Sequence, residues 1–486
     1  MTAPASDRRS FLSAGAGLAG VALAAMLHRD GVAHAADGAG WSPPSGRPHF
    51  PPKVKRVIWL FMVGGTSHVE AFDPKPTLDK YDGKTMEETP FKALLDSPHL
   101  KKNLREFIPG QHKVRPKLMK MQAGWKKYGQ CGLAVGDWWP HVGGVADDLA
   151  VVRSMWTSDN DHGAQLQFHT GRHALEGPYP TVGSWVRYGL GSLNDDLPSF
   201  VVLGKPLADC CGGQSGHGGN YLGPEYSGVP LLVDPKNPLP FLPGRAQSAA
   251  KQREQFDLIG KLNGLAAERS PDDPAIRAKI KSYELAFRMQ TAVPEVMRLD
   301  EEPEGVRALY GLDRPETKDF GNLCLAARRL SEKGVRFVQV FHGSDGGAGK
   351  WDSHSDILRN HPPLCKQVDQ PIAALIKDLK RRGLLDETLV VWGSEFGRTP
   401  GAAGSAGRDH HPYGFSIWMA GGGVKKGVTH GATDELGFHA VEDRHYVTDL
   451  HATVLHLLGL DPRKLALPGR KRLEVDFGKP MAAILA

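Results

Sequence analysis

Six apolar runs with the character of buried strands recur along the chain, and each ends in glycine or in a polar loop. Val, Ile, Leu, Phe and Trp fill them nearly without interruption, which is typical of strands covered on both faces in a parallel sheet. The runs cover residues 54–65, 149–155, 198–204, 335–343, 388–397 and 415–423. The pattern therefore predicts six buried strands in a mostly parallel sheet.

Helical periodicity lies between several of these runs. It covers residues 320–334 and 369–386, which precede the fourth and fifth strands, residues 446–461 after the sixth, and residues 272–290. Alternation of strands and helices predicts an α/β fold with a doubly wound, mostly parallel sheet and helices on both faces. Two regions fit this alternation less well. We expect a loop-rich insertion near 74–145, and surface loops over 205–245.

The N-terminus has the order of features found in a twin-arginine export signal. Arg8 and Arg9 are followed by an apolar stretch from Leu12 to Leu27, and a small-x-small cleavage site lies at Ala33–Ala35. The apolar stretch is too short for a membrane span, so we expect none after cleavage. The sequence thus predicts a signal peptide over 1–35, a single domain over 36–486, and a periplasmic or secreted protein.

Composition narrows the classes of partner. The 60 basic and 54 acidic residues give a net charge of only +6, and the short basic clusters lack interleaved aromatics, so nucleic acid is not an expected partner. The five cysteines include no C-x-x-C pair, which argues against a disulfide scaffold or a zinc ribbon. The adjacent Cys210 and Cys211 remain open to two interpretations, a vicinal disulfide or two thiols.

Carboxylates and imidazoles collect in the loops next to the predicted strands. Because the carboxyl ends of parallel strands lie at one edge of a sheet, these groups are expected to converge there and to form a site for divalent metal. The groups are His68, Glu70 and Asp73 after the first strand, Asp159, Asp161 and His162 after the second, His342, Asp345, Asp352 and His354 after the fourth, Glu395 and Arg398 after the fifth, and Arg408, Asp409, His410 and His411 before the sixth.

Each motif also has a plainer interpretation. Asp159 or Asp161 can cap a helix that starts near His162. Glu395 can form a structural ion pair with Arg398. Of the adjacent imidazoles at 410 and 411, only one is expected to point into the site.

Several motifs together resemble a known family. They are "GGTSHVEAFDPKP", "DHGAQLQFHTGR", "WDSH", "GSEFGRTP", "GRDHHPYGFSIWMAGGGVKKGVTHGATDELG" and "DLHATVLHLLGLD". In combination they resemble an exported bacterial domain-of-unknown-function family, number fifteen-oh-one, over nearly the whole chain after the signal. That family is similar to the alkaline phosphatase and sulfatase superfamily. The resemblance implies an alkaline phosphatase/sulfatase-like domain with a one- or two-metal site.

The resemblance also implies a set of metal ligands. Asp352 and His354 match one ligand pair, and Glu395 followed by Phe396 matches a second pair in which the imidazole is replaced. The final ligand histidine is His410 or His411, and His68 or Glu70 stands where the first-strand acidic ligand is expected. The metal implied is zinc, calcium or manganese.

The nucleophile position departs from the superfamily pattern. It precedes a Thr-Gly pair, here Thr170 and Gly171, and falls on Asp161 or His162 instead of a hydroxyl or thiol. Either residue could act as a base toward water. The alternative is a displaced hydroxyl nucleophile, supplied by Thr66, Ser67 or Ser158.

The resulting functional hypothesis is an exported metal-dependent hydrolase of an anionic sulfate or phosphate ester, either a small ester or a sulfated polysaccharide. Arg398 or Arg408 would hold the anion. The alternative hypothesis is a non-catalytic, metal-stabilised binding protein of the cell envelope, which the missing nucleophile favours.

Overall fold

A computed structural model of the chain describes residues 44–97, 117–239, 249–269, 274–404, 406–465, 467 and 478–486. The predicted signal peptide and residues 98–116 of the predicted insertion lie outside the described residues. All described residues except Leu467 belong to the unit formed by Pro44–Leu465 and Leu473–Ala486.

The strands are short and mostly buried. In chain order they are β1 Arg56–Met62, β2 Trp125–Tyr128, β3 Leu133–Gly136, β4 Leu149–Trp156, β5 Phe200–Leu203, β6 Val229–Leu231, β7 Phe337–His342, β8 Thr388–Gly393, β9 Gly397–Ala403, β10 Gly407–His411, β11 Phe415–Gly421, β12 Val428–His430, β13 Ala432–Thr433, β14 Ala440–Glu442 and β15 His445–Tyr446.

The main sheet has the order β12-β4-β11-β8-β1-β7-β5-β6, with β15 paired to β4 as the ninth strand. All its pairings are parallel except those of β11, which runs antiparallel to both β4 and β8. All six predicted strands are therefore present in one mostly parallel sheet, which confirms the predicted fold class. The expectation that the sixth run is parallel is wrong: β11 runs antiparallel to both of its neighbours, and the chain reaches it from β8 through the β9–β10 hairpin without a crossover helix.

Ten α-helices occur in the described ranges, and 3-10 turns join many of them. The helices are α1 Thr77–Lys80, α2 Pro140–Gly143, α3 Gly163–Thr170, α4 Val182–Leu190, α5 Ala249–Arg269, α6 Pro274–Val296, α7 Glu304–Leu309, α8 Pro315–Glu332, α9 Ile357–Arg381 and α10 Val447–Leu457. Within this part of the chain, none of the helices combines the length and apolarity needed to traverse a bilayer.

The longest helix, α9, begins well before the predicted segment 369–386. Three prolines lie inside it, at 362, 363 and 371, and the first two hide its N-terminal half from a helix prediction. The Asp356 side chain accepts a hydrogen bond from the Arg359 backbone N–H at 3.0 Å and so caps the first turn. The helix buries an apolar stripe against the sheet, which places the loop before it, residues 343–356, at the sheet edge.

Alternate residues of the central strand β1 pack against helices on opposite faces of the sheet. Ile58 and Leu60 lie in the same apolar cluster as Ile372 of α9. Trp59 faces the other side, where its ring centroid is 5.3 Å from that of Phe168 in α3. Since successive strand residues point to opposite faces, both sides of the sheet are covered by helices, as the fold class requires.

Several buried histidines make the fold sensitive to acid. Burial lowers the pKa of His217 from its usual value of 6.5 to about 4, and that of His342 and His451 also to about 4. These rings stay neutral in the folded protein at a pH where the unfolded chain already binds a proton. Their contribution to stability is complete above about pH 6.5 and is lost as the pH falls toward 4.

We predict that His217→Gln weakens this acid sensitivity. Between about pH 7 and pH 5, the ring of His217 should account for a loss of about 2 kcal/mol in the free energy of unfolding. Denaturant unfolding at the two pH values checks this, because the variant should lose less stability than the unsubstituted protein. An equal loss in both proteins would contradict the assignment.

Candidate metal centre

One edge of the main sheet collects the polar loops. Strands β1, β4, β7 and β8 are mutually parallel, so their carboxyl ends lie at this edge, where antiparallel β11 begins. The segments that follow these strands, together with β10 just before β11, supply the side chains of the cluster described below. The topology thus brings together segments that are far apart in the sequence.

Asp352 is the hub of the cluster. Its Oδ1 lies 2.8 Å from Arg398 Nη2, 2.9 Å from His354 Nε2 and 3.2 Å from His410 Nε2. Its Oδ2 lies 3.4 Å from His162 Nε2. Burial alone would raise the pKa of Asp352, but hydrogen bonds from the imidazoles of His162 and His354 and the charge of Arg398 outweigh burial and lower the pKa far below its usual value.

Glu395 is fully buried and holds His162 from the other side. Its Oε1 accepts hydrogen bonds from the Gly64 backbone N–H at 2.9 Å and from Gln165 Nε2 at 3.0 Å, and lies 3.1 Å from His162 Nδ1. Burial lowers the pKa of His162, but the carboxylates of Asp352 and Glu395 more than compensate and raise it to about 9. His162 is therefore an imidazolium at neutral pH when no cation is bound.

His410 presents a lone pair to the cluster. Its Nδ1 lies 2.9 Å from the backbone carbonyl oxygen of Asn160, which can only accept, so Nδ1 carries the proton and Nε2 has the lone pair. Burial and the positive charge of His162 lower the pKa of His410 well below its usual value. His354 Nε2 lies 3.0 Å from His410 Nε2, while its Nδ1 lies 3.3 Å from Asp409 Oδ1.

Two groups of side chains have the composition and spacing of metal ligands. The ligand atoms of each group lie within 4.8 Å of one another, and His410 belongs to both. The groups are Asp352, His354 and His410, and Asp161, His162 and His410. Carboxylate with imidazole suits zinc or manganese. His162 Nε2 is buried and directed at the cluster, where Asp352 Oδ2 lies 3.4 Å away. The residues present therefore fit a divalent cation.

The start of α3 differs from the expectation that Asp159 or Asp161 caps it. His162 is the N-cap residue, and no side chain in this described segment caps the first turn. Asp161 Oδ1 accepts from the His162 backbone N–H at 2.7 Å, and Asp159 Oδ1 accepts from the Asp161 N–H at 3.0 Å. In these local turns one oxygen of each carboxylate accepts a hydrogen bond from a neighbouring backbone N–H, and neither carboxylate caps the helix.

His68 and His411, two of the expected metal ligands, do not join the cluster. Their rings stack on each other with centroids 5.7 Å apart. His68 Nε2 donates to the Gly437 carbonyl at 2.8 Å, and His411 Nε2 donates to the Phe438 carbonyl at 2.6 Å. Both rings therefore hold the loop at residues 437–438 by hydrogen bonds and lie outside the two groups of candidate metal ligands.

The two arginines expected to hold an anion are buried and occupied. Arg408 uses every N–H of its guanidinium, on Glu70 Oε1 at 2.7 and 3.1 Å and on backbone carbonyls that include Thr399 at 3.0 Å and Lys120 at 2.9 Å. Arg408 is thus a structural ion-pair residue and not the anion-binding group that its position suggests. Arg398 donates to the Gly64, Gly65 and Trp351 carbonyls as well as to Asp352, so it orients the hub carboxylate.

Two of the three displaced hydroxyl candidates, Ser67 and Ser158, are also engaged, whereas for Thr66 the hydrogen bond to Ser394 Oγ comes from its backbone N–H. Ser67 Oγ donates to Glu70, and Ser158 Oγ lies 3.1 Å from the Tyr446 hydroxyl and 2.9 Å from Gln167 Nε2. One group that the sequence interpretation missed supports the cluster: Gln165, which is three residues after His162 and so on the same face of the helix. Asp409, which was expected at this edge, also supports the cluster through His354. Helical spacing could have indicated Gln165.

The fold and this cluster define an α/β protein with a candidate metal centre at the carboxyl edge of its sheet. A family model described as protein of unknown function, DUF1501, matches residues 54–485. The chain belongs to this family, which confirms the resemblance noted from its motifs. A comparison with curated proteins finds no significant match.

Solved structures show a distant likeness. The C-terminal periplasmic domain of EcEptC from Escherichia coli, in complex with Zn, is 11% identical, with 92% of this chain and 96% of that chain covered and a TM-score of 0.37. The PsFucS1 sulfatase from Pseudoalteromonas sp. is 13% identical, with 88% and 73% covered and a TM-score of 0.34. A protein in the alkaline phosphatase superfamily from Vibrio parahaemolyticus is 12% identical, with 80% of each chain covered and a TM-score of 0.34. Likeness at this level carries no argument about chemistry.

We predict that Glu70→Gln destabilises the fold by about 3–5 kcal/mol, because it leaves the fully buried Arg408 guanidinium without its counter-charge. Denaturant unfolding measures the change. Glu387→Gln is the matched control, since Glu387 pairs with Lys55 at an exposed position and should lose less than about 1 kcal/mol. Equal effects of the two substitutions would show that the buried pair has no special role.

Proposed function

We propose that this protein is an exported metal-dependent hydrolase that acts on an anionic phosphate or sulfate ester. The observation that carries the proposal is the convergence of Asp352, His354 and His410 from two separate segments at the carboxyl edge of the sheet. A carboxylate and imidazoles placed at such an edge are suited to bind a cation and to face a ligand at the same time.

We assign the cation to Asp352, His354 and His410. Ligation by His162 would require that ring to lose the proton that Asp352 and Glu395 stabilise, so the group with Asp161 and His162 is the weaker candidate. A bound divalent metal supplies Lewis-acid polarisation of an ester oxygen. Arg398 holds the Asp352 carboxylate in place through its own bond at 2.8 Å.

His162 is the proposed proton-transfer group. The pKa of about 9 makes it a proton donor in the cation-free protein, so it suits a leaving oxygen better than it suits the base role considered from the sequence. Glu395 and Gln165 fix the ring through contacts on its Nδ1 side at 3.1 and 3.3 Å, which leaves Nε2 directed at the cluster. Asp161 remains a candidate base.

The binding-protein alternative is favoured by one observation. Asp161 and His162 occupy the start of α3, and the hydroxyls of Ser67 and Ser158 are tied to Glu70, Tyr446 and Gln167. Neither of these two serine hydroxyls is therefore free to form a covalent ester intermediate, and a protein of this kind could hold the cation and an anionic ligand without turnover.

We predict that Asp352→Asn removes metal binding and metal-dependent turnover. Loss of the hub carboxylate should weaken zinc or manganese binding by more than about a hundredfold, since loss of a mere supporting group costs ten- to hundredfold. Metal content after dialysis and hydrolysis of an aryl phosphate and an aryl sulfate, with and without chelator, measure the two effects.

Asp345→Asn is the matched control, because Asp345 is an exposed carboxylate in the same loop after β7. It should bind metal and turn over substrate as the unsubstituted protein does. Metal binding lost in Asp352→Asn with no turnover in any protein would support the binding-protein alternative. Metal binding that is unchanged in Asp352→Asn would contradict both functions.

We also propose export through the twin-arginine signal. Substitution of both Arg8 and Arg9 by lysine should leave the protein as an uncleaved precursor inside the cell, whereas the natural sequence is cleaved and exported. Cell fractionation with detection of the precursor and mature forms measures this. Equal export of both sequences would exclude the twin-arginine route.

A further inference from the structure

A second pair of facing imidazoles lies at the edge of strand β4, built from residues other than those of the candidate metal centre. Strands β12 and β15 both run parallel to β4 along the same edge, with His430 opposite Val152 and His445 opposite Met155. This register brings the two histidines side by side. His430 Nε2 and His445 Nε2 lie 2.8 Å apart, with ring centroids 5.0 Å apart.

A carboxylate lies behind each ring. His445 Nδ1 is 3.0 Å from Asp449 Oδ2 in the first turn of α10, and His430 Nδ1 is 3.8 Å from Asp443 Oδ2. Because a carboxylate only accepts, the proton of neutral His445 lies on Nδ1 and its Nε2 lone pair points at His430. A carboxylate behind an imidazole whose other nitrogen is a lone pair is the arrangement found around metal-ligating histidines.

The same facing of Nε2 atoms occurs in the candidate metal centre, where His354 Nε2 and His410 Nε2 are 3.0 Å apart. A hydrogen bond between His430 and His445 would require the proton of His430 on Nε2, which would turn its Nδ1 lone pair toward the Asp443 carboxylate. If His430 instead carries its proton on Nδ1, the Nε2 lone pairs of His430 and His445 both point at the same position. A cation at that position would stabilise this arrangement. Burial and the neighbouring His445 ring lower the pKa of His430.

We propose that His430 and His445 form a second site, for a divalent transition-metal cation of the zinc class. The two side chains are 12% and 16% exposed, so a cation can enter from solvent while most of the ring surface is dry. Tetrahedral ligation with zinc–nitrogen distances of about 2.0–2.1 Å needs the two nitrogens roughly 3.3 Å apart, a small opening of the present pair. Solvent or an external donor completes the coordination.

Occupation of this site would support the helix that carries His162. Tyr446 follows His445 directly, and its hydroxyl contacts Ser158 Oγ at 3.1 Å and Gln167 Nε2 of α3. A cation on His445 therefore fixes the residue that holds both ends of the segment from 158 to 167. This role does not depend on the proposed hydrolase activity.

Zinc titration of the full chain in competition with a chromophoric chelator tests the site. His430→Gln and His445→Gln should each bind about one equivalent of Zn²⁺ less than the unsubstituted protein. Asp449→Asn should keep the Zn²⁺ stoichiometry of the unsubstituted protein. It should bind the Zn²⁺ ion at His430 and His445 ten- to hundredfold less tightly, because it removes the carboxylate behind His445. His141→Gln, which removes an exposed imidazole elsewhere, is the control and should bind as the unsubstituted protein does.

The melting temperature in chelator establishes that each variant is folded. If His445→Gln fails to fold, His430→Gln and Asp449→Asn decide the question. Equal stoichiometry and affinity in the unsubstituted protein and in the folded variants would overturn the proposal. Zinc-edge anomalous diffraction gives an independent answer: a peak between the two Nε2 atoms supports the site, and density without such a peak at saturating Zn²⁺ rejects it.

Discussion

Carboxylates that are removed from water must have their charge balanced. The candidate metal centre at the carboxyl edge of the sheet depends on this constraint. Asp352 and Glu395 lie at the ends of neighbouring loops, and together they attract a guanidinium, imidazoles and backbone N–H groups. Without these partners the two charges would cost several kcal/mol each in desolvation. The partners come from the segments after β1, β4, β7 and β8 and from β10, so the charges of Asp352 and Glu395 tie these segments together.

Two buried arginines, Arg398 and Arg408, satisfy buried polar groups of the backbone behind the cluster. The loops after β1 and β8 have few ladder partners for their carbonyl groups, and an unpaired buried carbonyl is costly. Arg398 satisfies the carbonyls of Gly64, Gly65 and Trp351, and Arg408 satisfies those of Thr399, Pro400 and Lys120. Each guanidinium thus satisfies several backbone carbonyls at once, in loops and, at Thr399 and Pro400, in strand β9. A residue that resembles a ligand-binding group in sequence becomes part of the scaffold.

The sequence was sufficient for the sheet and for the edge at which the site forms. Continuous apolar runs identify strands whatever their neighbours, and strand ends identify the loops. It could not distinguish His410 from His411, because adjacent strand residues point to opposite sides and only the register of β10 against β9 decides which one faces Asp352. It also could not separate Arg408 from an anion-binding role, since its partner Glu70 lies 338 residues away in the chain. Long-range pairing is invisible to local patterns.

The prolines of α9 and the reversed direction of β11 have similar causes. Proline lowers the local helix propensity, yet tertiary packing of an apolar stripe keeps the helix intact through three of them. Strand direction depends on the connection, which here passes through the β9–β10 hairpin instead of a helix. In both places tertiary context overrides the local preference.

The interacting segments are far apart in the sequence, and this separation determines the order of folding and cation binding. His162 meets Glu395 across 233 residues, and His410 meets the Asn160 carbonyl across 250. Each contact requires closure of a very long loop, so the cluster can form only after the sheet has been assembled. A nascent or denatured chain offers a cation no more than scattered single donors. We therefore expect a cation to bind the proposed site only after folding, on an apoprotein that is already a folded molecule.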